Sequence, residues 1–304
     1  MPELYNKFSQ FLIKKYGEKV YKLPINLPIT CPNRDGTRGT GGCIFCGEEG
    51  AGFECLPSSM NVLQQIEENM SYIGSKYKAN KFIIYFQNYT NTYMPLPLFK
   101  QIIESAAVEK AVAFYISTRP DSVPDEHLDF LAYFTQKTGI DVVLELGLQS
   151  VNEDTLKFLN RGHGVSEFID CVERCKLRGI EVCAHVINDL PSDSIDDVIR
   201  CARLLTDLKV SQVKCHSLYI LKGTRLGHSY EQGLFTPLNF DDFLKRTIYF
   251  LENLSPDIVV QRILGRAPQE KTLFCSWDMS WRKVVNILEK TMMDNNNYQG
   301  GRLS

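Results

Sequence analysis

Short apolar runs alternate with longer helical segments through most of the chain. Five runs predict buried strands, and INLPIT (25–30) is a sixth candidate. The five are KFIIYFQ (81–87), AVAFYIST (111–118), DVVLELGLQS (141–150), IEVCAHVI (180–187) and SQVKCHSLYI (211–220). Because a predicted helix follows each strand, the pattern indicates a parallel sheet with right-handed crossovers. Such a sheet either curls into a full or partial barrel or stays open and doubly wound, and periodicity does not decide between the two.

Helix boundary signals support this order of elements. Gly179 follows EFIDCVERCKLR as a stop signal, and Ser194 begins SIDDVIRCARLLTDLK as an N-cap. We expect residues 25–220 to form the core, with residues 1–24 and 221–304 as N-terminal and C-terminal extensions. The last residues, DNNNYQGGRLS, predict a frayed tail.

Composition indicates an ordinary globular protein. The 304 residues are 44 % apolar and 23 % charged, which is enough for the core of one large domain. A net charge of −2 excludes a uniformly basic nucleic-acid coat. No apolar run approaches the ~20 residues of a membrane span, and the first residues lack the pattern of a signal peptide. We therefore expect a cytoplasmic protein with no membrane association.

Ten cysteines in a reducing compartment are not expected to form a disulfide framework. Most stand singly in apolar segments, where a free cysteine packs as a small hydrophobe. Cys31, Cys43 and Cys46 differ, since they share the stretch TCPNRDGTRGTGGCIFC (30–46). Two metal sites suit them: a structural zinc with Cys55 as fourth ligand, or an iron–sulfur cluster with three thiolates and one open iron. The position after the first strand of an α/β unit favours iron.

This cysteine loop resembles that of the radical S-adenosylmethionine (SAM) superfamily. It is close to the branch typified by bacterial YhcC and YtqA (MnmL-like) proteins, and more distantly similar to the catalytic subunit of Elongator. The spacing C-x11-C-x2-C agrees with that branch and departs from the commonest C-x3-C-x2-C. Further motifs extend the resemblance over most of the chain: FQNYTNTY (86–93), STRPDSV (117–123), ELGLQS (145–150), LNRGH (159–163) and HSLYILKGT (216–224).

The resemblance implies an α/β fold, a partial (βα)6 TIM-like barrel with N-terminal and C-terminal extensions. It also implies a 4Fe–4S cluster on Cys31, Cys43 and Cys46, with SAM chelating the open iron through its amino and carboxylate groups. Reductive cleavage of SAM then gives methionine and a 5′-deoxyadenosyl radical, which takes a hydrogen atom from the substrate. The protein supplies orientation, electrostatics and exclusion of side reactions.

Three SAM-binding residues are expected from ELGLQS and LNRGH. Glu145 and Gln149 share one face of a strand because side chains alternate. A carboxylate inside an apolar strand is explained by an ion pair or by a function, and the residues alone leave both open. The resemblance favours SAM binding. It also suggests that Arg161 pairs with the carboxylate of SAM.

Three more SAM contacts are predicted from position. Phe45 precedes the last cysteine of the loop, and Gln87 stands where many relatives have a GGE-like stretch that contacts the methionyl amine. Ser117 ends the third strand, where it either binds the ribose or caps a turn. His185 and His216 lie on the fifth and sixth strands, where a lone histidine is more often a core residue, so no catalytic acid is assigned.

The resemblance points to tRNA as the substrate. We expect an enzyme that converts carboxymethylaminomethyl-uridine at the wobble position to aminomethyl-uridine, with a flavodoxin- or ferredoxin-type electron donor and a methyltransferase acting downstream. The segment RILGRAPQEKTLFCSW (262–277) either presents Arg262, Arg266, Lys271 and Trp277 to phosphate and an unstacked base, or closes the barrel edge. The alternatives are a radical SAM enzyme acting on a small metabolite or tetrapyrrole, and a zinc-stabilised RNA-binding module without catalysis.

Overall fold

Seven parallel strands form one curled sheet in the computed structural model, which describes residues 3–48, 50, 52–265 and 267–303. In sheet order the strands are β1 Val20–Ile25, β2 Lys81–Phe86, β3 Ala111–Thr118, β4 Asp141–Gln149, β5 Glu181–Ile187, β6 Gln212–His216 and β8 Val259–Arg262. A separate antiparallel ribbon pairs β7 Ile220–Leu221 with β9 Thr272–Phe274. The sheet is a half-barrel, so the predicted partial barrel is confirmed, with a seventh strand added to the six expected.

The helices are α1 Phe8–Tyr16, α2 Val62–Tyr77, α3 Leu96–Ser105, α4 Asp125–Thr138, α5 Glu153–Phe158, α6 Val165–Leu177, α7 Ile195–Asp207, α8 Arg225–Glu231, α9 Phe240–Glu252 and α10 Trp281–Asp294. Ser194 caps α7 as predicted, since its side chain accepts a hydrogen bond from the backbone N–H of Asp197. No helix within the described residues is long and apolar enough to cross a membrane.

The two faces of the sheet differ in chemistry. Alternate residues of β2 illustrate this, because Phe82 and Ile84 join the main core on one face while Ile83 and Tyr85 join a smaller cluster on the other. The main core packs the outer face against the helices. The inner face is apolar near the starts of the strands and becomes polar toward their carboxyl ends, where a cavity opens.

The first helix fills the amino-terminal end of the half-barrel. Leu12 is 4 % exposed and packs among inward-facing side chains of β2 to β5. Lys15 donates to Glu181 (2.8 Å) and Tyr16 donates to Asp141 (2.7 Å), at the first residues of β5 and β4. β1 and β8 are the two edges of the sheet, and α1 contacts both. The helix therefore bridges the seam that the strands leave open.

Three predictions about the elements are wrong. Residues 25–30 are not a strand, because β1 ends at Ile25; Pro24 is tolerated there because β1 is an edge strand and needs hydrogen bonds on one side only. Residues 211–220 are not one strand, since β6 ends at His216. The tail is not frayed, because Gln299 is buried and its side-chain amide donates to the carbonyl oxygens of Ser255 (2.6 Å) and Ile258 (2.8 Å).

The division of the chain at residues 24 and 220 stays a prediction. The sheet uses residues from all three segments, because β1 begins at Val20 and β8 lies beyond residue 220. The half-barrel therefore extends past the proposed boundaries at both ends.

Replacing Leu12 with alanine should remove the main apolar contact of α1. We expect the free energy of unfolding to fall by about 2 to 5 kcal/mol, the range for a buried leucine. Ile13→Ala is the matched control, since Ile13 on the same helix is 36 % exposed and should cost far less. Chemical denaturation measures the stability of both variants. Equal losses of stability would show that α1 does not fill the amino-terminal end of the half-barrel.

Candidate active site

A cavity of about 400 Å³ lies at the carboxyl end of the inner face. It collects residues from the loop after β1 and from the ends of successive strands, where the active sites of such folds lie. All nine residues predicted to bind the cluster or SAM line it: Cys31, Cys43, Phe45, Cys46, Gln87, Ser117, Glu145, Gln149 and Arg161. The structure thus brings the predicted site together, while the role of each residue stays a prediction.

The cysteine loop is held by a second loop. The backbone N–H of Cys46 donates to the carbonyl oxygen of Cys43 (3.1 Å), which forms a tight turn between the two thiols. The side chain of Asn33 donates to the carbonyl oxygen of Asn160 (2.6 Å), and the side chain of Asn160 donates to the carbonyl oxygen of Gly42 (2.7 Å). Gly42 has φ of 70°, a conformation that favours glycine. These bonds fix the cysteines relative to the chain that follows β4.

Arg161 joins the cysteine loop to β4. Its Nη1 donates to the sulfur of Cys43 (3.1 Å), and its Nη2 donates to the carbonyl oxygen of Gly147 (2.8 Å). Its Nε is buried without a hydrogen-bond partner, as is Oδ1 of Asn33. The thiolate is the form of cysteine that binds metal, and a guanidinium is a suitable hydrogen-bond donor to it. Arg161 lines the cavity, so its unsatisfied Nε leaves hydrogen-bonding capacity there.

The zinc site with Cys55 is not supported by the geometry. The thiol of Cys55 donates to Oδ1 of Asn88 (3.4 Å) instead. Within the described part of the chain, the only group of three potential ligand atoms lying within 4.8 Å of one another belongs to Glu145, Cys183 and His185. That group does not suit a cation, because two lysines already neutralise Glu145 and burial raises the pKa of the Cys183 thiol well above its usual value.

Glu145 is the centre of a buried polar network. Its fully buried carboxylate accepts hydrogen bonds from Lys22 (2.7 Å), Lys214 (2.8 Å) and Nε2 of His185 (2.9 Å). Ser117 adds a longer contact of 3.4 Å. Sequence reasoning left an ion pair and a cofactor contact open for Glu145, and the structure shows the ion pair.

Burial and charge set the protonation states in this network. Burial alone would raise the pKa of Glu145, but the ammonium groups of Lys214 and Lys22 lower it well below the usual range. Burial lowers the pKa of Lys214 to about 7, although Glu145 opposes the shift. Burial and Lys214 lower the pKa of His185 to about 4. The carboxylate is therefore ionised and His185 is neutral, and the contact of Lys214 with that carboxylate opposes the effect of its burial.

Tyr85 extends the network through its ring and its hydroxyl. Lys214 donates to the Tyr85 hydroxyl (2.8 Å), and so does Ser117 (3.2 Å). The ammonium of Lys22 lies 4.4 Å from the ring centre of Tyr85 and 4.2 Å from that of Tyr115, within the range of cation–π contacts. Ser117 therefore binds neighbouring side chains and does not cap a turn.

Several of these residues were missed from the sequence. Lys214 stands inside the apolar run SQVKCHSLYI, the same signal that singled out Glu145, and could have been found. Lys22 precedes the wrongly placed first strand, so its inward position was hidden. Arg119 is buried and donates to the carbonyl oxygen of Arg161 (2.7 Å), a role that its sequence position does not indicate.

The two histidines on neighbouring strands face one cavity. The ring centres of His185 and His216 are 5.1 Å apart, and both rings line the cavity. Burial and Arg262 hold the pKa of His216 well below its usual value. The pair is thus a neutral part of the wall.

The C-terminal segment splits into two environments. Arg262 lines the cavity, whereas Trp277 packs against Phe240, Phe243 and Phe274, and its indole N–H donates to the carbonyl oxygen of Leu238. Of the two alternatives for this segment, the packing of the half-buried Trp277 ring against the main core favours a structural role over stacking on a base. Arg266 lies outside the described residues.

The family follows from this fold and this cysteine loop. The chain matches the Radical SAM superfamily over residues 33–205 and the Radical SAM C-terminal domain over residues 210–294. It belongs to the radical SAM superfamily. This family uses a 4Fe–4S cluster and SAM, so both predicted cofactors are confirmed.

Individual relatives place the chain within the family. Protein YtqA of Bacillus subtilis is 34 % identical over 297 residues, which cover 97 % of this chain and 92 % of YtqA. The tRNA uridine(34) acetyltransferase of Methanocaldococcus infernus is 28 % identical over 159 residues, which cover 51 % of this chain and 29 % of that protein. The predicted resemblance to the YtqA branch and, more distantly, to Elongator is confirmed.

Among solved structures, the archaeal Elp3 of Methanocaldococcus infernus matches 92 % of this chain and 64 % of its own, with a TM-score of 0.70. The sequence identity is 17 %, so this likeness shows the fold alone.

The residues of the cavity fit both cofactors. Three thiols from one loop reach the cavity, and Arg161 donates to one of them. Three thiolates are the ligand set of a cluster with one open iron. When bound, the cluster and SAM together supply a 5′-deoxyadenosyl radical for hydrogen abstraction. The chain itself holds the thiols, lines the space beside them with cations and shields that space within the half-barrel.

Glu145→Gln should destabilise the protein, because the buried Lys214 and the half-buried Lys22 would lose their counter-charge. We expect the free energy of unfolding to fall by about 3 to 5 kcal/mol near neutral pH. Glu54→Gln removes an exposed carboxylate from the same cavity and should cost about 0.5 kcal/mol or less. Denaturant titration of both variants tests this, and similar losses would mean that the network does not support the fold.

Gly147→Ala should disturb Arg161. A Cβ at Gly147 would lie 2.8 Å from Nη2 of Arg161 and 2.9 Å from Nε2 of Gln149, so both side chains must move. If these residues hold SAM, its affinity for the cluster-loaded protein should fall by about tenfold or more. Gly74→Ala is the control, since a Cβ there meets only ordinary contacts. Unchanged SAM binding in equilibrium titrations would remove Arg161 and Gln149 from the SAM site.

Proposed function

We propose that this radical SAM enzyme modifies the wobble uridine of tRNA, converting carboxymethylaminomethyl-uridine to aminomethyl-uridine. The observation that carries the proposal is the charge of the cavity wall. Six basic side chains line it: Lys22, Arg34, Arg119, Arg161, Lys214 and Arg262. Lys22 and Lys214 pair with Glu145, and Arg119 pairs with Asp121, so three arginines remain without an acidic partner among the described residues. Such a wall suits a substrate with a carboxylate and nearby phosphates. The similarity to a tRNA uridine(34) acetyltransferase supports tRNA as the substrate class.

The proposed reaction balances as a two-electron oxidation. The carboxymethyl carbon next to the amine loses two electrons, water adds to that carbon, and the C–N bond breaks to leave the primary amine and glyoxylate. SAM is the oxidant and is reduced to methionine and 5′-deoxyadenosine, with one proton released overall. The low-potential electron that starts the cycle comes from a flavodoxin- or ferredoxin-type donor, and a methyltransferase is the expected consumer of the amine.

In this proposal the cavity residues have separate tasks. Cys31, Cys43 and Cys46 hold the cluster, and Arg161 with its unsatisfied Nε pairs with the carboxylate of SAM. Phe45, Gln87, Ser117 and Gln149 complete the SAM site. For Glu145 the contacts favour an indirect task, since its carboxylate already binds two lysines that fix the wall beside the substrate.

The alternative substrate is a small metabolite or a tetrapyrrole. The same cations suit any anionic substrate, so the two proposals differ in whether a phosphate backbone is bound. Binding of tRNA that weakens steeply with salt supports the tRNA proposal, because each phosphate contact releases counterions. Binding that is absent at low salt favours the small substrate.

The test is nucleoside analysis of tRNA after reaction. Anaerobically reconstituted enzyme, SAM and dithionite should convert carboxymethylaminomethyl-uridine to aminomethyl-uridine and release an equal amount of glyoxylate. Cys43→Ala should abolish conversion, whereas Cys275→Ala, a thiol outside the cavity, should leave it unchanged. Unaltered tRNA with continued cleavage of SAM would contradict the proposed substrate and leave the family chemistry intact.

A further inference from the structure

Arg262 stands where two cavities meet. The second cavity, of about 610 Å³, lies at the seam of the half-barrel and is lined by α1, β1, β8 and the start of α10. Arg262, Lys22, Gln261 and His216 line this cavity and the one beside the cysteine loop. A ligand that enters through the seam therefore meets these side chains before it reaches the cysteines.

The guanidinium of Arg262 lacks an acidic partner among the described residues. Its Nη2 donates to Nδ1 of His216 (2.7 Å), and its Nε is buried with no hydrogen bond. Burial and Arg262 itself keep His216 neutral by lowering its pKa. Arg262 as a whole is half-buried, but its Nε is fully buried, and an unsatisfied buried donor is costly. The side chain is thus arranged for an acceptor that the protein does not provide.

The charged groups around Arg262 also favour binding of an anion. Glu145 is shared by Lys22 and Lys214, and the other carboxylate at the junction, Glu54, is exposed and forms no ion pair with Arg262 among the described residues. Gln261 accepts a hydrogen bond from Lys22 (2.8 Å) and so holds that ammonium toward the junction. A planar anion with two oxygens matches the fork of a guanidinium better than it matches a single ammonium.

We propose that Arg262 binds a carboxylate of the substrate and is the residue that selects substrates carrying one. This inference rests on the proposed function and assigns its carboxymethyl group a place at the cavity junction. The positive charge of Lys22 also attracts the substrate carboxylate at this junction, and this attraction does not need direct contact. A product that has lost the carboxylate then binds more weakly.

Two nucleoside probes of the same shape test the proposal: 5-carboxymethyl-uridine and its neutral carboxamide. Wild-type enzyme, loaded with its cluster and SAM, should bind the carboxylate about ten- to a hundredfold more tightly than the amide. Arg262→Gln should remove this difference by weakening carboxylate binding alone, and Arg262→Lys should restore part of it. Arg282→Gln, an exposed arginine on α10, should behave as wild type. Circular dichroism and thermal melting check that each variant is folded.

If Arg262 binds an anion other than a substrate carboxylate, its variants give different results. If Arg262 serves the carboxylate of SAM, Arg262→Gln weakens SAM binding and SAM cleavage without substrate, and the proposal is overturned. If it serves a tRNA phosphate, the variant weakens binding of unmodified and modified tRNA equally, which also overturns it. Equal binding of both probes by wild type does the same.

The probe experiment is independent of the tRNA reaction. Suppose that the wild-type enzyme discriminates between the probes through Arg262 but leaves tRNA unchanged. This result would contradict the proposed function and support the carboxylate site. If Arg262→Gln converts tRNA with an unchanged KM, the carboxylate site is contradicted and the proposed function is supported.

Discussion

The buried carboxylate of Glu145 and its two ammonium partners hold the inside of the half-barrel together. Lys22 comes from β1, Glu145 from β4 and Lys214 from β6, so the network spans most of the sheet from one edge toward the other. An ion pair so deeply buried is weak support for stability in itself, but losing one partner is costly because the remaining charges stay desolvated. The network therefore fixes which side chains meet in the interior. It also fills the space between α1, at the amino-terminal end of the half-barrel, and the open cavity at the carboxyl end.

The cysteine loop depends on a second set of contacts at the rim. Asn33 and Asn160 tie the loop to the segment after α5, and Arg161 from that segment reaches both Cys43 and the carbonyl oxygen of Gly147 on β4. Gly147 permits this approach because a Cβ there would collide with the guanidinium. The thiols are thereby placed above the ion network, with the cavity between the two. The thiols of this cavity come from one part of the chain and its charged side chains come from others. Such a division is typical of sites at the carboxyl ends of barrel strands.

Much of this arrangement could be predicted from the sequence. Long apolar runs gave four strands almost to the residue, and the cysteine spacing with its companion motifs indicated the family. Failures arose where local pattern and tertiary context disagree. Prolines near residues 24 and 28 concealed which part of the first run forms the edge strand, because an edge strand tolerates what a central strand does not. The frayed appearance of the tail was misleading because Gln299 finds buried carbonyl partners that no local signal announces. Lys22, Arg119 and Arg262 were not recognisable as a group, since only the folded sheet brings distant strands to one cavity.

The central claim is that three cysteines of one loop hold a cluster that opens into this cavity. The most direct test is to measure iron content and 5′-deoxyadenosine released from SAM under dithionite, after anaerobic reconstitution with iron and sulfide. About four irons per chain, with deoxyadenosine formed, is the expected result; both should be lost in Cys43→Ala and retained in Cys55→Ala. One zinc per chain, no deoxyadenosine and dependence on Cys55 would contradict the account.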